Sequence, residues 1–319
     1  MNVLLVDVDS KMPNLALMKI SAWHKKRGDR VYLNNGCQDP DKVYISCMFS
    51  KNAARARGIA KMFSCPVEIG GYGVNGTKLP DEIEHTMPDY DGLDFAMGFT
   101  SRGCIRNCPW CIVPRMEGPI RNHAPITEFL PDELEKVVLF DNNFKASPRW
   151  RENLKYIIDH GIKVNFTQGL DIRLVDEEFA GMLAECDYRA SNFKDKQLYF
   201  SFDVLEIEYK IMCGIETLRG AGIPIDRHHI TFYMLVGFGV DSKDYTWDYF
   251  VKHDYHRFKV LREFGVRPYV MLYNGRRDIP ILRYFRQWVN CPRRWMKTPN
   301  FEDHDRGYSQ TAIKKLGGW

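Results

Sequence analysis

The chain has 319 residues, of which 45% are apolar, and a formal net charge of +4. This composition excludes a disordered or fibrous protein, and the length allows one large barrel-like domain or two modest ones. No apolar run approaches the roughly 18 residues that a membrane helix needs. The amino terminus, MNVLLVDVD, is acidic rather than basic and cleavable, unlike an export signal. We therefore expect a cytoplasmic protein that has no membrane partner.

The cysteine count agrees with a reducing compartment. A disulfide framework is typical of short exported chains, whereas this chain is long and its nine cysteines are odd in number. Outside one dense array, the cysteines are expected to be mostly small buried apolar residues. They are Cys37, Cys47, Cys65, Cys186, Cys213 and Cys291.

Strands alternate with helices in the first part of the chain. A β-branched apolar run at residues 2–8 predicts a buried strand, and apolar residues at helical spacing from Asn14 to Lys26 predict a helix that ends at a glycine. Further strands are predicted at 31–33, 43–47 and 67–69, and a second helix at 53–63. Such alternation predicts a parallel sheet with helices on its faces. We assign residues 1–76 to this domain and 77–92 to a linker.

A cysteine-rich loop follows, in the segment Gly98–Gly118, with the sequence GFTSRGCIRNCPWCIVPRMEG. Cys104, Cys108 and Cys111 form a C-x3-C-x2-C array. Structural zinc takes four protein ligands, and His123 would have to act alone as the fourth. An iron–sulfur cube normally takes four thiolates, so three leave one iron open to a group that is not protein. The array favours an iron–sulfur cluster, with zinc as the alternative.

From residue 93 to residue 290 the alternation of strands and helices resumes. The predicted strands are Leu93–Phe99, Lys136–Phe140, Lys163–Phe166, Gln197–Phe202, His229–Val236 and Arg267–Leu272. The predicted helices are Arg149–His160, Asp176–Glu185, Glu206–Ala221, Asp244–Phe264 and Pro280–Val289. Six strands in about 195 residues fit an open, partial (β/α)6 barrel, because a closed eightfold barrel typically needs about 250. Residues 291–319 form a basic C-terminal extension.

The cysteine spacing, Trp110 before the last cysteine and the apolar strand ahead of the loop resemble the cluster loop of the radical S-adenosylmethionine (SAM) superfamily. In that superfamily a [4Fe-4S] cluster binds the amino and carboxylate groups of SAM at its open iron. One electron then releases a 5′-deoxyadenosyl radical, which abstracts hydrogen from a substrate. The resemblance implies that Cys104, Cys108 and Cys111 hold the cluster, and that a flavodoxin or ferredoxin donates the electron.

The resemblance also places SAM at the carboxyl ends of the barrel strands, where such barrels have their active sites. The DNNF segment at 141–144 resembles the one that meets the SAM amino group, although Asp and Asn there also cap helices. Arg173 can grip a carboxylate with two hydrogen bonds, Asp203 can accept from the ribose, and Gly237 can border the adenine. The expected cofactor contacts are Trp110, Asp141, Asn142, Asn143, Gln168, Asp171, Arg173, Ser201, Asp203 and Gly237. No catalytic residue is assigned.

The wording RGCIRNCPWC is closest to the branch of this superfamily in which a cobalamin-binding-type domain precedes the radical domain. Residues 1–76 resemble a shortened domain of that doubly wound (Rossmann-like) type. However, the loop after the first strand, DVDSKMPN, lacks the Asp-x-His-x-x-Gly motif whose histidine ligates cobalt. We therefore expect that cobalamin does not bind. The glycine run GGYGVNG lacks the order of a phosphate loop and predicts a turn.

Two other functions remain open at this point. One is a non-catalytic zinc or iron–sulfur protein whose N-terminal sheet binds a ligand, and the other is a cobalamin-dependent radical methyltransferase. A second cluster built from Cys37, Cys47 and Cys65 would have spacings unlike those of the methylthiotransferases. The substrate stays unidentified and could be a small molecule, a peptide or a nucleic acid.

Overall fold

The computed structural model describes residues 1–276, 278–304 and 307–318, so the extension predicted at 291–319 lies partly outside the described residues. The strands are β1 Asn2–Asp7, β2 Arg30–Leu33, β3 Lys42–Ser46, β4 Val67–Gly70, β5 Ala96–Gly98, β6 Ser101–Arg102, β7 Arg121–Asn122, β8 Lys136–Leu139, β9 Lys163–Phe166, β10 Leu198–Ser201, β11 Ile230–Val236 and β12 Arg267–Leu272. The helices are α1 Leu15–Lys26, α2 Ala53–Ala60, α3 Asp81–Glu84, α4 Val113–Met116, α5 Trp150–Asp159, α6 Glu177–Glu185, α7 Glu208–Gly220, α8 Trp247–Lys252, α9 Asp254–Glu263, α10 Pro280–Val289, α11 Pro292–Lys297 and α12 Gly307–Lys315. Among these residues, no helix has both the length and the apolar character needed to cross a bilayer.

The chain divides into two compact units. The first unit is Met1–Thr100 with His123–Val138, and the second is Ser101–Asn122 with Leu139–Trp319. The cysteine loop therefore belongs to the second unit, although the chain on both sides of it belongs to the first.

The first unit contains a four-stranded parallel sheet in the order β2-β1-β3-β4. In the central strand, Leu4 pairs with Tyr32 on one side and with Val43 on the other. The chain builds β2 on one side of β1 and then β3 and β4 on the other, so the direction of winding reverses between β1 and β3. Such a reversal opens a crevice at the carboxyl ends of the two strands.

Alternate residues of β1 explain why this sheet carries helices on both faces. Val3 and Leu5 point to one face and pack in a cluster with Leu17 of α1. Leu4 points to the other face and packs with Ala56 of α2. These side chains are at most 5% exposed, and burying a side chain as large as leucine stabilises the fold by about 1.5–3 kcal/mol. The unit is thus a parallel α/β layer structure.

The second unit contains a three-stranded parallel sheet in the order β10-β11-β12. One face of this sheet is buried except at Leu272. On that face Phe200 pairs with Phe232, and their rings stack with centroids 5.4 Å apart. Helices α9 and α10 pack against β11 and β12. The protein is therefore an α/β protein with parallel sheets.

Within the second unit, hydrogen bonds connect Leu139, the last residue of β8, and the chain after β9 to this sheet. The amide of Thr167, just after β9, donates to the carbonyl of Leu139 at the end of β8, at 3.3 Å. The amide of Leu170 donates to the carbonyl of Tyr199 in β10, at 2.7 Å. The carboxyl ends of β8, β9 and β10 consequently lie close to one another within this unit.

The single helix predicted at Asp244–Phe264 is wrong, because the chain forms two helices there, α8 and α9, with a break at His253. The first residue of α9 takes part in a buried network. The carboxylate of Asp254 is buried and accepts hydrogen bonds from Arg257, at 2.5 Å, and from the hydroxyl of Tyr245. Starting α9 at Asp254 also puts this negative charge at the positive end of the helix dipole.

Candidate functional site

The cysteine loop is closed at its base by a short antiparallel ladder. β6 pairs with β7, with Ser101 opposite Asn122. One step further in, the amide of Cys104 donates to the carbonyl of Gly118 at 3.2 Å. The three thiols therefore lie on a closed loop whose two ends are fixed together.

Gly103 permits this closure. Its φ of +80° lies in the left-handed region that a residue with a β-carbon rarely adopts. A β-carbon at this position would also lie 2.2 Å from the carbonyl oxygen of Pro119. The glycine before the first cysteine of the array is thus required by the packing of the two ends of the loop.

The buried side chain of Glu117 stabilises the loop through hydrogen bonds and an ion pair. Its carboxylate accepts hydrogen bonds from the amide of Gly103 at 3.0 Å and from Nδ2 of Asn142 at 2.9 Å. It also forms an ion pair with Arg102 at 3.1 Å, and its side chain is only 7% exposed. A buried carboxylate with several charge-assisted partners is a strong local constraint. Glu117 therefore connects the base of the loop to the segment that follows β8.

The thiols occupy different environments. Cys104 and Cys108 are half-buried and Cys111 is exposed. The amide of Cys111 donates to the carbonyl of Cys108 at 2.9 Å, which makes the C-x2-C part a turn. The sulfur of Cys104 accepts hydrogen bonds from the amide of Arg106 at 3.3 Å and from Nδ2 of Asn143 at 3.7 Å. Hydrogen bonds to cysteine sulfur tune the reduction potential of an iron–sulfur cluster.

The described residues contain no group of three His, Cys, Asp or Glu side chains arranged to hold a single metal ion, such as tetrahedral zinc. His123, the possible fourth zinc ligand, uses Nε2 for a hydrogen bond with Glu84 at 3.0 Å.

A cluster of charges lies beside the cysteine loop. The carboxylate of Asp171 accepts from Nε of Arg173 at 2.6 Å, from Nη2 of the same residue at 3.0 Å, and from Nε of Arg106 at 2.8 Å. Burial raises the pKa of Asp171, but the two guanidinium groups more than offset this and hold it below its usual value. Two arginines share one carboxylate, so this cluster keeps an excess positive charge. It lies near Cys108, whose pKa is raised by burial and lowered in part by Arg173.

Asn143 has an acceptor that nothing satisfies. Its Nδ2 donates to Asp171 at 3.3 Å as well as to the sulfur of Cys104. Its Oδ1 is buried and has no hydrogen-bond partner in the part of the chain that the structure describes. Leaving a buried acceptor unpaired costs roughly 1–3 kcal/mol. A free acceptor beside a thiol and two arginines is suited to a ligand that carries an N–H donor.

The carboxyl ends of β10 and β11 meet at Asp203. Its Oδ1 accepts from the amide of Leu235 at 2.8 Å, and Ser201 also donates to its carboxylate. Burial raises the pKa of Asp203, and these hydrogen bonds and the charge of Arg257 oppose the rise. Its negative charge contributes to the raised pKa of Cys108.

An aromatic row leads away from the cysteine loop. Trp110 contacts Phe238 edge to face with centroids 5.2 Å apart, and Phe238 contacts Tyr273 in the same way at 4.9 Å. Phe238 follows Gly237, the residue expected to border an adenine. A β-carbon on Gly237 would instead meet Leu282 at 2.8 Å and the side chain of Arg276 at 2.9 Å. The glycine thus accommodates neighbours from its own unit.

The remaining candidates differ in their surroundings. Asp141 is buried, and its Oδ1 accepts from both the amide and the hydroxyl of Ser101 at 2.6 Å, so it anchors the base of the cysteine loop. Gln168 is exposed. Of the expected contacts, those gathered at the cysteine loop are Trp110, Asp141, Asn142, Asn143, Asp171 and Arg173. Ser201 and Asp203 instead bond each other at the carboxyl end of β10.

Sequence reasoning did not identify Arg106 or Glu117. Arg106 lies between the first two cysteines, and only its charge indicates a distant partner. Glu117 follows the array without any motif that marks it. Both act through residues distant in the chain, Asp171 in the first case and Asn142 in the second.

The first unit has its own polar network at the reversal between β1 and β3. The carboxylate of Asp9 accepts from the amides of Met48 at 2.7 Å and Phe49 at 3.1 Å, and from Nδ2 of Asn52 at 2.8 Å. Burial raises the pKa of Asp9, but these hydrogen bonds bring it below its usual value. In GGYGVNG, a β-carbon on Gly71 would lie 2.3 Å from the carbonyl oxygen of Cys47. That glycine therefore allows a close backbone approach.

A cavity of about 420 Å³ also lies in the first unit. Its lining includes Leu17, Asp7, Asn14, Ser21 and Asp89. Lys25 pairs with Asp89 at 2.6 Å at the same place. The cavity mixes an apolar wall with polar groups, as small-molecule sites do.

Comparisons with known proteins do not place the chain in a family. No family model matches it, and no curated protein matches its sequence. The function must therefore be argued from the geometry of the site and from the resemblance of the cysteine loop.

Proposed function

We propose that this protein is a radical SAM enzyme whose cluster is held by Cys104, Cys108 and Cys111. The observation that carries the proposal is the unsatisfied Oδ1 of Asn143, a residue whose Nδ2 donates to the sulfur of Cys104. The sequence resemblance predicts a SAM amino group at the DNNF segment, and a buried acceptor without a donor at that segment supports it. The doubly wound first domain and the partial barrel are part of the same proposal.

The charges beside the thiols support the binding of a carboxylate. Arg173 uses Nε and Nη2 for Asp171, which leaves Nη1 available. Because Arg106 also neutralises Asp171, the positive charge of Arg173 is not fully compensated within this cluster. A guanidinium in this state is suited to a ligand carboxylate. In our proposal Arg173 holds the SAM carboxylate while Asn143 accepts from the SAM amino group.

In the same proposal Asp203 binds the ribose of SAM. Its carboxylate is fixed by the amide of Leu235 and by Ser201, so its orientation is set before a ligand arrives. Carboxylate oxygens have more than two acceptor sites, and those not used by the protein can accept hydrogen bonds from ribose hydroxyls. When bound, the cluster and SAM would supply the electron transfer and radical chemistry, while the chain binds, orients and excludes water.

We further propose a cytoplasmic location and an electron donor such as a flavodoxin or ferredoxin. All nine cysteines have free thiols, which fits a reducing compartment. The exposed side chain of Cys111 puts one edge of the thiol array near solvent, where a redox partner can approach.

Anaerobic reconstitution tests the proposal. We expect the full chain, supplied with iron and sulfide, to become brown and, with dithionite and SAM, to form 5′-deoxyadenosine. Cys108→Ala should lose the iron, whereas the control Cys213→Ala, at an exposed thiol outside the loop, should keep it. Colourless protein with stoichiometric zinc would favour the non-catalytic metal protein. Brown protein that never cleaves SAM would also reject the enzyme.

A further inference from the structure

The sheet β10-β11-β12 has two different faces. On one face every side chain except the half-buried Leu272 is buried, and the buried residues are Leu198, Phe200, Ile230, Phe232, Met234, Val236, Pro268 and Val270. On the other face the central positions of the three strands carry tyrosines, Tyr199, Tyr233 and Tyr269, each half-buried or exposed. The three rings are therefore accessible within the second unit, while the opposite face of the same strands forms its core.

The tyrosine rings form one continuous aromatic surface. Tyr199 and Tyr233 stack with centroids 5.8 Å apart and planes within 10° of parallel. Tyr233 and Tyr269 meet edge to face at 5.7 Å. The register places Tyr233 directly beside Tyr269 on the neighbouring strand. A surface with both stacked and perpendicular rings can hold a planar ring face to face or edge on.

Arg267 lies at the start of β12, two residues before Tyr269, and so points to the same face. Its Nε is buried and has no hydrogen-bond partner among the described residues. None of the ion pairs found in those residues involves it, in contrast to Arg173, Arg189 and Arg257. Its positive charge acts on the hydroxyls of both Tyr199 and Tyr233. A buried guanidinium nitrogen without a partner is costly unless a ligand anion supplies one.

We propose that this face, defined by Tyr199, Tyr233, Tyr269 and Arg267, binds a small molecule that carries a planar unsaturated ring and an anionic group. The rings receive the planar part, and the guanidinium of Arg267 receives a carboxylate or a phosphate. The phenol groups stay neutral near pH 7, because burial raises the pKa of Tyr199 and Tyr233, so they do not repel an anion.

The inference rests on the proposed function only in taking this molecule to be the substrate. The same side of β10 continues through Ser201 to Asp203, the residue proposed to meet the ribose of SAM. Side chains two residues apart on a strand face the same way. The aromatic surface thus leads along the strand toward the thiols, as a substrate subsite for hydrogen abstraction requires.

Binding of simple probes to the reconstituted full chain tests the inference. We would titrate benzoate, phenyl phosphate and the uncharged benzyl alcohol, and follow binding by calorimetry and by tyrosine fluorescence. At least one anionic probe should bind about tenfold or more tightly than benzyl alcohol, as expected for hydrogen bonds to a charged group. Which of the two anions is preferred distinguishes a carboxylate from a phosphate ligand.

Variants locate the binding. Arg267→Gln should remove the preference for anions, and the matched control Arg283→Gln, at an exposed arginine of α10, should retain it. Tyr269→Leu should weaken binding of all three probes, whereas Tyr269→Phe should not. Tyr269 is exposed, so these two variants remain informative if Arg267→Gln fails to fold.

The probe-binding experiment distinguishes failure of the proposed subsite from failure of the proposed enzyme. Arg267-dependent binding in protein that cannot cleave SAM would support the subsite and reject the proposed enzyme. SAM cleavage without any Arg267-dependent binding of either anion would overturn the subsite alone. A change of oligomeric state in Tyr269→Leu, together with no anion binding, would mean that a second copy of the chain covers this face and would likewise overturn it.

Discussion

At the scale of single residues, the cysteine loop depends on residues other than its cysteines. Gly103 allows the two ends of the loop to pack, and Glu117 connects that base to Asn142. Asn143 then touches both a thiol and Asp171. The positions of the thiols therefore follow from a small number of hydrogen bonds to one loop.

Glu117→Gln is predicted to loosen this loop. The substitution keeps the size of the side chain but removes the charge that pairs with Arg102 and that strengthens the hydrogen bond from Gly103. We expect a loss of roughly 1–3 kcal/mol in unfolding free energy, as for a buried hydrogen bond to a charged group. Urea denaturation and the rate of iron loss from reconstituted protein are the measurements.

The control for this prediction is Glu216→Gln. Glu216 pairs with Arg219 on the surface of α7, and surface pairs of this kind contribute little. If both variants lose iron at the wild-type rate, Glu117 does not brace the loop.

Arg173→Gln is predicted to weaken SAM binding. Asp171 keeps Arg106 as its partner in this variant, so the fold should tolerate the change. The lost hydrogen bonds to a ligand carboxylate should reduce affinity about tenfold or more, with the absorbance of the cluster unchanged. Calorimetric titration with SAM measures this.

A matched control exists in the same unit. Arg189 holds Asp187 through Nε at 2.6 Å and Nη2 at 3.0 Å, in the same geometry and at the same sequence spacing as Arg173 and Asp171. Arg189→Gln should leave SAM affinity unchanged. Equal weakening in both variants would attribute the effect to the fold instead of to ligand contact.

At the scale of helices and strands, α9 fixes the carboxyl ends of two strands. Arg257, on this helix, donates to the carbonyl of Phe202 after β10 at 2.6 Å and to that of Leu235 in β11 at 2.9 Å. It also pairs with Asp254, and both side chains are 4% exposed. The strand ends that present Asp203 are therefore held by a buried charge network.

Arg257→Met should be strongly destabilising. It leaves the carboxylate of Asp254 buried without its cation and leaves two strand carbonyls without donors, and removing one partner of a buried ion pair typically costs about 3–5 kcal/mol. Thermal and urea denaturation measure the loss. Lys252→Met is the control, because Lys252 pairs with Asp248 at the surface. A loss below 1 kcal/mol in Arg257→Met would contradict the role assigned to this network.

The secondary-structure elements show how much of the fold can be predicted from sequence patterns. The apolar runs and turn residues predicted β1 to β4 and β8 to β12 within one or two residues, because buried strands have a strong local signal. The strand predicted at Leu93–Phe99 is limited to Ala96–Gly98. The break at His253 could not be predicted, since it depends on Arg257 and Tyr245 meeting Asp254 in three dimensions.

The site was predictable to a similar extent. The cysteine spacing and the polar residues after the strands carry local signals, and most of them do meet at one loop. The contacts that hold these residues in place have no local signal in the sequence. Arg106 pairs with Asp171, sixty-five positions away, and Glu117 accepts a hydrogen bond from Asn142. The close approach of Arg276 and Leu282 to Gly237 likewise has no local signal. Long-range pairing of charges is the part that a sequence does not display.

At the scale of the whole molecule, the residues that flank the cysteine loop on both sides belong to the first unit. The amide of His123 donates to the carbonyl of Thr100 at 2.9 Å, and these residues flank the loop directly. The ring of His123 bonds Glu84, which also accepts from the buried Lys19 at 2.9 Å. The exit of the loop is therefore tied to α1 and α3 within the first unit.

Glu84 makes this connection dependent on pH. Burial raises its pKa, but hydrogen bonds and charges from His123 and Lys19 more than compensate and lower it from 4.5 to about 2. A carboxyl whose pKa is lowered on folding contributes stability that is complete above its unfolded pKa and is lost as the pH falls toward the folded value. The contribution should therefore be full at pH 7, begin to fall below pH 4.5 and disappear near pH 2.

Glu84→Gln should remove this contribution. At pH 7 the variant should be less stable by on the order of 3 kcal/mol, and the difference from the wild type should fall to about half by pH 3, because protonation of Glu84 makes the two proteins alike. Hydrogen exchange of the His123 amide, corrected for the intrinsic effect of pH, reports the stability at the exit of the loop. Glu68→Gln is the control, since Glu68 pairs with Lys42 at the surface of the same unit. A difference that stays constant from pH 7 to about pH 3 would show that the carboxylate charge of Glu84 does not stabilise this connection.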